Sequence, residues 1–367
     1  MPLNRFLLHT LGSLLFLLTA FFSNAQDDQR LIIITTDGFR WQEVYNGMDA
    51  AVASDKRFNQ YDSAGIFNAY WDQSPEARRQ KLLPFFWGTI AKQGQLYGNR
   101  KYGNKIDNAN PYWFSYPGYS EILTGHVDTL INSNEYPPNP HKTILEYYNS
   151  LPAYKGKVAA FAAWDAFDRI INEKRAGLPV INAFDDNSVA STDPEMKLLN
   201  DMVRTSFRPW GNVECLDVFT HYQAFTYLKN NRPKVMYISY GETDEFAHHG
   251  EYKHYLNAAH QFDEWVGNIW NWVQSQPDYK NKTTLLITTD HGRGDIKKEE
   301  WTDHGGGVQD AYQIWFAVMG PKVKPLGEMK SNQQFYQKQL AQTAAQLTGH
   351  TYTGAHEVSP AIPVIQK

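Results

Sequence analysis

The sequence predicts an α/β fold in which a mainly parallel β-sheet is sandwiched between helices. Short apolar runs rich in β-branched residues end in polar or glycine-rich segments, which is typical of strands buried on both faces. Longer segments with helical periodicity lie between these runs, and an alternation of strands with helices indicates a parallel sheet. In such a sheet the functional site lies beyond the carboxyl ends of the strands, so we expect the chemistry there.

The predicted elements follow one another without an internal repeat or an interdomain linker. Strands are predicted at 31–35, 158–163, 234–239, 284–288 and 314–319. The clearest helix runs from about 251 to 274, where side chains such as Tyr255, Phe262 and Val266 form one apolar stripe. Further helices are predicted at 80–93, 141–150, 194–206, 214–230 and 332–347.

The N-terminal segment predicts export. Arg5 is followed by an apolar run over 11–22 and by Ser23-Asn24-Ala25, which is typical of a signal peptide cleaved before Gln26. The run is too short to cross about 30 Å of hydrocarbon comfortably. We therefore expect residues 1–25 to be a signal peptide, residues 26–367 to form a single domain, and the mature protein to be periplasmic or extracellular with no membrane association.

The composition of the chain limits its possible binding partners and the ways in which its fold can be stabilised. The formal net charge is only −4 over 367 residues, which argues against a nucleic-acid partner. Cys215 is the only cysteine, so the chain cannot form an intramolecular disulfide. An exported chain of this kind must rely on its core or on metals for stability.

Acidic and imidazole side chains follow three of the predicted strands. They are Asp37 after the first strand, Asp244 and His248 after the third, Asp290 and His291 after the fourth, and the glycine-flanked His304 beyond them. Each residue alone is more often a turn, a cap or a surface side chain. Their convergence on one rim favours a mixed oxygen and nitrogen site for zinc or a similar divalent ion. Six such side chains exceed one tetrahedral site, so we predict two metals.

The stretch FSYPGYSEILTGH, residues 114–126, contains two serines that could act as a nucleophile. Pro117 fits the first turn of a helix and Gly125 fits its end. Ser115 then lies at the helix start, where free N–H groups and the helix dipole favour an anion. Ser120 lies one turn inside. We favour Ser115 as the nucleophile, and its alternative role is that of a simple helix cap.

The ordered series TDGFRW, SYPGYSEILTG, D-x-x-x-H, TDHG and a later glycine-flanked histidine resembles the alkaline phosphatase superfamily. The resemblance spans residues 31 to about 307. The nucleotide pyrophosphatase/phosphodiesterase branch, in which a Ser or Thr before x-Pro is the nucleophile, looks closest. Because the chain is short for this superfamily, the resemblance implies an alkaline-phosphatase-like catalytic domain with a small cap subdomain or none.

The resemblance also implies a set of site residues. One zinc would be held by Asp244, His248 and His304, and the second by Asp37, Asp290, His291 and the Ser115 oxygen. An asparagine in the loop after the nucleophile helix would hold a nonbridging phosphoryl oxygen. Asn134 is the candidate for this role and Asn132 is the alternative.

The implied activity is that of an exported two-metal phosphoric ester hydrolase that acts on a small phosphate ester through a phosphoserine at Ser115. Sulfatases of the same superfamily carry an arginine where this chain has Tyr119, which disfavours a sulfuric ester hydrolase. A non-catalytic exported metal-binding protein is the alternative from another class.

The choice between a phosphodiesterase and a phosphomonoesterase stays open at this stage. Arg40 and Arg293 are candidate phosphate-binding cations, although each could equally form a structural ion pair. Trp164 and Phe167 are candidates for the wall of a leaving-group pocket, although both could equally belong to the core.

Overall fold

The computed structural model describes residues 28–185, 193–364 and 366. The predicted signal peptide, 1–25, lies outside these residues. The strands are β1 (Arg30–Thr36), β2 (Gly94–Tyr97), β3 (Asn104–Asp107), β4 (Val158–Ala162), β5 (Val180–Asn182), β6 (Val235–Tyr240), β7 (Thr283–Thr288), β8 (Gln313–Ile314), β9 (Phe316–Met319), β10 (Gly327–Glu328) and β11 (Gln333–Tyr336).

Helices separate most of these strands. The α-helices are Trp41–Asn46, Ala50–Ala53, Ser63–Tyr70, Pro75–Leu82, Ala91–Gln93, Ser115–Thr124, Ile144–Ser150, Phe167–Ile171, Glu173–Ala176, Pro194–Thr205, Asp217–Asn231, Glu242–His248, Tyr252–Ser275 and Leu340–Leu347. A π-helical turn spans Phe86–Ile90, and 3-10 turns span Arg100–Tyr102, Lys298–Thr302 and Gln337–Gln339. None of the helices in the described ranges is long and apolar enough to cross a membrane.

The main sheet has eight strands in the order β10-β2-β9-β7-β1-β6-β4-β5. The five strands from β7 to β5 run parallel, whereas β9 is antiparallel to both of its neighbours. The predicted α/β class with a mainly parallel sheet is confirmed. The other sheet in the described part of the chain is small, with the order β11-β3-β8.

The strand β1 lies at the centre of the sheet and sets the position of the site. Thr35 of β1 is level with Ser239 of β6 and with Thr288 of β7. The three strands therefore end at the same height, and the residues that follow them meet at one rim.

Both faces of the sheet are covered. Ile32 and Ile34 of β1 belong to one apolar cluster, which includes the core face of the helix Tyr252–Ser275. Leu31 and Ile33 belong to the other cluster, together with the helix Ser115–Thr124. Because alternate side chains point to opposite faces, burial on both sides explains why the strand reads as a continuous apolar run.

Three predicted elements differ in the structure. The predicted strand 314–319 is divided at Trp315, so that β8 joins the small sheet and β9 joins the main one. The predicted helix 332–347 begins as strand β11, which pairs with β3; a 3-10 turn, Gln337–Gln339, follows, and the α-helix spans Leu340–Leu347. The predicted helix 80–93 is interrupted because the preceding helix ends at Leu82, two residues before Pro84.

Gly118 allows the helix Ser115–Thr124 to lie directly against the end of β7. A Cβ atom on Gly118 would stand 2.4 Å from the carbonyl oxygen of Asp290. Every residue of this helix is buried. The side chain of a larger residue at this position could not turn toward solvent. It would therefore push the helix away from the end of the strand.

We expect Gly118→Ala to destabilise the fold by about 1–3 kcal/mol, because the added methyl group overpacks the contact with Asp290. Gly88→Ala is the matched control, since it is also a helical glycine but a Cβ there would meet no heavy atom within 4 Å. Urea denaturation of both variants measures the difference. Equal midpoints for the two variants would show that the close approach does not constrain the helix.

Candidate metal centre

The structure brings the six predicted carboxylate and imidazole residues to one rim of the sheet. Asp37 follows β1 directly, and Asp290 and His291 follow β7. Asp244 and His248 lie four residues apart on the helix Glu242–His248, so both side chains project from the same face. The loop after the 3-10 turn Lys298–Thr302 carries His304 back over them.

These residues form two sets of possible metal ligands. The first set is Asp37, Asp290 and His291, and the second is Asp244, His248 and His304; in each set one donor atom per residue lies within 4.8 Å of the others. The first set is buried, whereas the second set opens toward solvent through His248, whose side chain is 38% exposed.

The hydrogen bonds of the first set leave room for a cation. His291 Nδ1 donates to the Gly292 carbonyl oxygen at 2.9 Å, which leaves Nε2 as the free nitrogen of the neutral ring. That Nε2 lies 3.2 Å from Asp37 Oδ1 and 3.3 Å from Asp290 Oδ2. Both carboxylate oxygens are buried and have no hydrogen-bond partner among the described residues. Three lone pairs facing one point fit a divalent ion.

The outer oxygens of the same carboxylates are already held in place. Asp37 Oδ2 accepts a hydrogen bond of 2.9 Å from the Tyr119 hydroxyl, and Asp290 Oδ1 accepts one of 3.0 Å from the Gly38 N–H. These bonds orient the two carboxylates so that their free oxygens point inward. Such outer contacts tune and fix the ligands of metal sites.

The electrostatics of the first set also indicate a missing positive charge. Burial and the neighbouring carboxylates raise the pKa of Asp37 and of Asp290. Burial would lower the pKa of His291, but the charges of Asp290, Asp37 and Asp244 raise it to about 9. Without a metal, protons therefore occupy the position that a cation would take.

The second set also brings donor atoms face to face. His248 Nε2 lies 3.0 Å from Asp244 Oδ2 and 2.9 Å from His304 Nε2. The two facing nitrogens need a shared proton or a cation between them. His304 Nδ1 is buried and has no hydrogen-bond partner in the described ranges. The donor types in this set suit zinc or a similar ion.

Arg293 neutralises the remaining oxygen of Asp244. Its guanidinium pairs with Asp244 Oδ1 and donates to the Gly38 carbonyl oxygen at 3.2 Å, and its side chain is fully buried. Burial would raise the pKa of Asp244, but Arg293, His248 and His304 hold it well below its ordinary value. Arg40 does not reach the site, because it forms a buried ion pair with Glu43.

Ser115 lies beside the first set. It is the first residue of its helix, and its Oγ lies 3.4 Å from His291 Nε2. Ser120 does not face the ligands, because its Oγ accepts a hydrogen bond of 2.9 Å from Asn139 Nδ2 in the core. The two serines are therefore in different surroundings, and only Ser115 is close to the candidate ligands.

The loop after the helix lies beside Ser115. Asn134 Oδ1 accepts a hydrogen bond of 3.0 Å from the Tyr116 N–H, so this side chain caps the helix at its first turn. Asn134 also lines a cleft of about 390 Å³, together with Phe114 and His304. Asn132 lines the same cleft but is exposed.

Sequence reasoning missed the structural role of Tyr119. Its hydroxyl bonds Asp37 and accepts from Ser239 Oγ at 3.2 Å, so it links the Ser115 helix to two strands. Its spacing of four residues from Ser115 was the available signal, since such residues share one helix face. Phe167 is a core residue packed on Tyr119, whereas Trp164 is partly exposed at the end of β4.

Comparison with known proteins agrees with this geometry. Residues 218–351 match the family described as "Metalloenzyme superfamily". Among curated proteins, none is significantly similar in sequence.

Solved structures share the fold at low sequence identity. The wild-type alkaline phosphatase PafA is 11% identical with a TM-score of 0.58, over 92% of this chain and 99% of its own. A putative sulfatase from Bacteroides thetaiotaomicron is 14% identical with a TM-score of 0.55, over 89% and 72%. Murine ectonucleotide pyrophosphatase/phosphodiesterase 5 is 12% identical with a TM-score of 0.51, over 91% and 97%.

The chain therefore resembles the metalloenzyme superfamily in sequence over residues 218–351 and shares the fold of the alkaline phosphatase PafA, in agreement with the predicted resemblance. The rim described above has carboxylate and imidazole donors of the kind that a metalloenzyme needs.

We expect the metal affinity of the metal-free protein to rise with pH up to about 9. His291, with a pKa of about 9 in the metal-free chain, must lose its proton before Nε2 can bind a metal. Release of one proton predicts about a tenfold gain in affinity per pH unit between pH 7 and 9, and a plateau above. Titrations with zinc in a metal-ion buffer, repeated at several pH values, measure this change of affinity with pH.

His248→Gln is the control for this experiment, since it alters the second set and leaves the His291 proton in place. The slope should persist in that variant at the remaining tight site. An affinity independent of pH between 7 and 9 would contradict the assignment of His291 as a ligand.

Proposed function

We propose that this chain is an exported phosphodiesterase of the alkaline phosphatase superfamily, from its nucleotide pyrophosphatase/phosphodiesterase branch. It would hold two zinc ions and use Ser115 as the nucleophile. The observation that carries the proposal is the position of the Ser115 oxygen, 3.4 Å from His291 Nε2 at the start of a buried helix. The N-terminal segment 1–25, with its signal-peptide pattern, supports export.

The residues that would hold the two ions follow from the two ligand sets. Asp37, Asp290 and His291 would hold one ion beside Ser115, and Asp244, His248 and His304 would hold the other. When bound, the two ions lower the pKa of the serine hydroxyl and stabilise negative charge on the attacking and leaving oxygens.

The remaining steps belong to residues of the chain. The Ser115 oxygen forms a bond to phosphorus while the bond from phosphorus to the leaving alkoxide breaks, and the serine proton passes through solvent to that alkoxide. The product is a phosphoserine that still carries the second ester substituent. The Ser115 N–H and the Asn134 side-chain amide, whose oxygen already accepts from the Tyr116 N–H, would donate hydrogen bonds to the nonbridging oxygens. Water then attacks this phosphorus, the bond from phosphorus to Ser115 breaks, and one proton of the water returns to the serine oxygen as the phosphate monoester is released.

The second ligand set lies on the solvent side and suits departure of the leaving group. His248 is partly exposed, so the alkoxide can leave and water can enter from that side. The first set is buried beneath Ser115 and is shielded from solvent. The open side would let the leaving group and water pass, whereas the buried side would shield the ion beside Ser115 from solvent.

Preference for a diester follows from the charges at the cleft. A monoester dianion needs a cation beyond the metals, but Arg293 is paired with Asp244 and Arg40 with Glu43. The described residues that line the cleft beside Ser115 include neither lysine nor arginine. Phe114 and the asparagines of that cleft offer apolar and amide contacts to the second substituent of a diester instead.

A sulfuric ester hydrolase is the second candidate, because a sulfate ester is also a monoanion and would tolerate the same cleft. The position of Tyr119 disfavours it, since its hydroxyl is bonded to Asp37 and supplies no positive charge. A non-catalytic metal-binding protein is disfavoured because both ligand sets and the serine are complete.

We expect Ser115→Ala to keep normal metal content and to lower kcat by at least about 1000-fold, because the attacking oxygen is lost. Ser120→Ala is the matched control from the same helix and should keep most of the activity, since the Ser120 hydroxyl accepts a hydrogen bond from Asn139 in the core. Turnover of bis-p-nitrophenyl phosphate measures both. Substantial activity in Ser115→Ala would exclude this serine as nucleophile.

We expect kcat/KM for bis-p-nitrophenyl phosphate to exceed that for p-nitrophenyl phosphate by about tenfold or more, because the cleft lacks a free cation for a second negative charge. p-Nitrophenyl sulfate serves as the third substrate and should be turned over least. A preference for the monoester would contradict the diester assignment, and a preference for the sulfate would identify a sulfatase.

A further inference from the structure

Three histidine rings outside the candidate active site pack together at the far end of the Ser115 helix. The ring centroids of His126, His141 and His356 lie 4.9, 5.1 and 4.9 Å apart. His126 follows the end of the helix, His141 precedes the helix Ile144–Ser150, and His356 belongs to the C-terminal segment. We propose that these three histidines, which we call the histidine triad, form a further metal site.

The hydrogen bonds of the triad hold one nitrogen of each ring and leave the other nitrogen free. His126 Nδ1 donates to the Glu357 carbonyl oxygen at 3.1 Å, and His356 Nε2 donates to the Thr124 carbonyl oxygen at 2.9 Å. His141 Nε2 bonds Asp128 Oδ2 at 2.7 Å. The second nitrogen of each ring has no hydrogen-bond partner in the described part of the chain.

This pattern is characteristic of metal-binding histidines. Such a histidine almost always donates its other N–H to a carbonyl or carboxylate oxygen, which fixes the tautomer and the orientation of the ring. All three members of the triad do so, two to backbone carbonyls and one to Asp128. Simple packing of aromatic rings would not require the same arrangement at each of three positions.

The spacing of the rings fits a tetrahedral ion. Imidazole nitrogens bound to zinc at about 2.1 Å place the ring centroids about 5 Å apart. His248 and His304, which share one candidate ligand set, have centroids 4.8 Å apart. The free nitrogens of the triad are less closely grouped than the donors of the two active-site sets, which lie within 4.8 Å of one another, so metal binding requires the rings to rotate toward a common point.

The surroundings favour a transition metal over calcium or magnesium. Three nitrogen donors suit Zn²⁺, Ni²⁺ or Cu²⁺, whereas the harder ions need oxygen ligands. Asp128 supplies a negative charge behind His141, and the nearby Arg175 is paired with Glu146 at 3.0 Å. The triad is half-buried, which leaves an approach from solvent and a position for water as the fourth ligand.

A metal in the triad would join three segments that no disulfide can join, since Cys215 is the only cysteine. It would tie the end of the Ser115 helix to the C-terminal segment, and it would anchor the start of the loop that carries Asn134. The site is structural and does not depend on the activity proposed for the rim.

The test is a count of bound zinc. Wild-type protein and the variant His126→Gln/His356→Gln are equilibrated in buffered excess Zn²⁺, freed of unbound metal and measured by mass spectrometry. We expect the variant to hold one zinc fewer per chain than the wild type. Because the result is a difference, it holds whether the active site binds two ions or fewer.

His260→Gln is the matched control, because His260 is also tied through one ring nitrogen to a carbonyl oxygen, that of Leu82, but packs on Tyr70 rather than on histidines. It should hold as much zinc as the wild type. Circular dichroism verifies the fold, and a variant that fails this check is replaced by His141→Gln. Equal zinc content in the wild type and the triad variant would overturn the proposal and show that the three rings only pack against one another.

Discussion

Burial of three carboxylates at the ends of three neighbouring strands is the constraint on which the rest of this structure depends. The register of β1 with β6 and β7 leaves Asp37, Asp244 and Asp290 on one rim with little access to water. An isolated carboxylate in such surroundings costs several kcal/mol. Arg293 compensates Asp244, whereas the inner oxygens of Asp37 and Asp290 have only the ring of His291 in front of them.

The Ser115 helix is arranged around this concentration of charge. Its first turn lies against the carboxylates, and the partial positive charge of the helix N-terminus is directed to the same place. Three independent contacts hold it there: Gly118 against Asp290, Tyr119 against Asp37, and Asn134 on the first turn. The serine is therefore positioned by strand β7, strand β1 and a loop together, which makes its location insensitive to movement of any one of them.

The sheet and its rim could be predicted from the sequence because both have local signals. A strand buried on both faces is a short apolar run, and the polar residues that follow several such strands must meet at one edge. The division of 314–319 at Trp315 and the strand at 333–336 had no comparable signal, because each depends on pairing with the distant strand β3.

The ion pairs of the site likewise could not be predicted from local sequence signals. Asp244 and Arg293 are 49 residues apart, and nothing between them indicates that they pair. The histidine triad joins residues separated by up to 230 positions, since His126 and His356 meet only in the folded chain. Local periodicity identifies elements, but contacts between their ends follow from packing.

The unequal exposure of the two ligand sets has a consequence for how the protein would behave where metal is scarce. An ion beside His248 has a path to solvent, whereas an ion beside His291 lies behind buried side chains. The outer ion would then exchange quickly with its surroundings, and the inner ion would leave only when the rim opens. With two ions bound as proposed, the chain in a metal-poor medium would therefore pass through a long-lived half-loaded form, which retains the ion next to Ser115 and regains the other when metal returns.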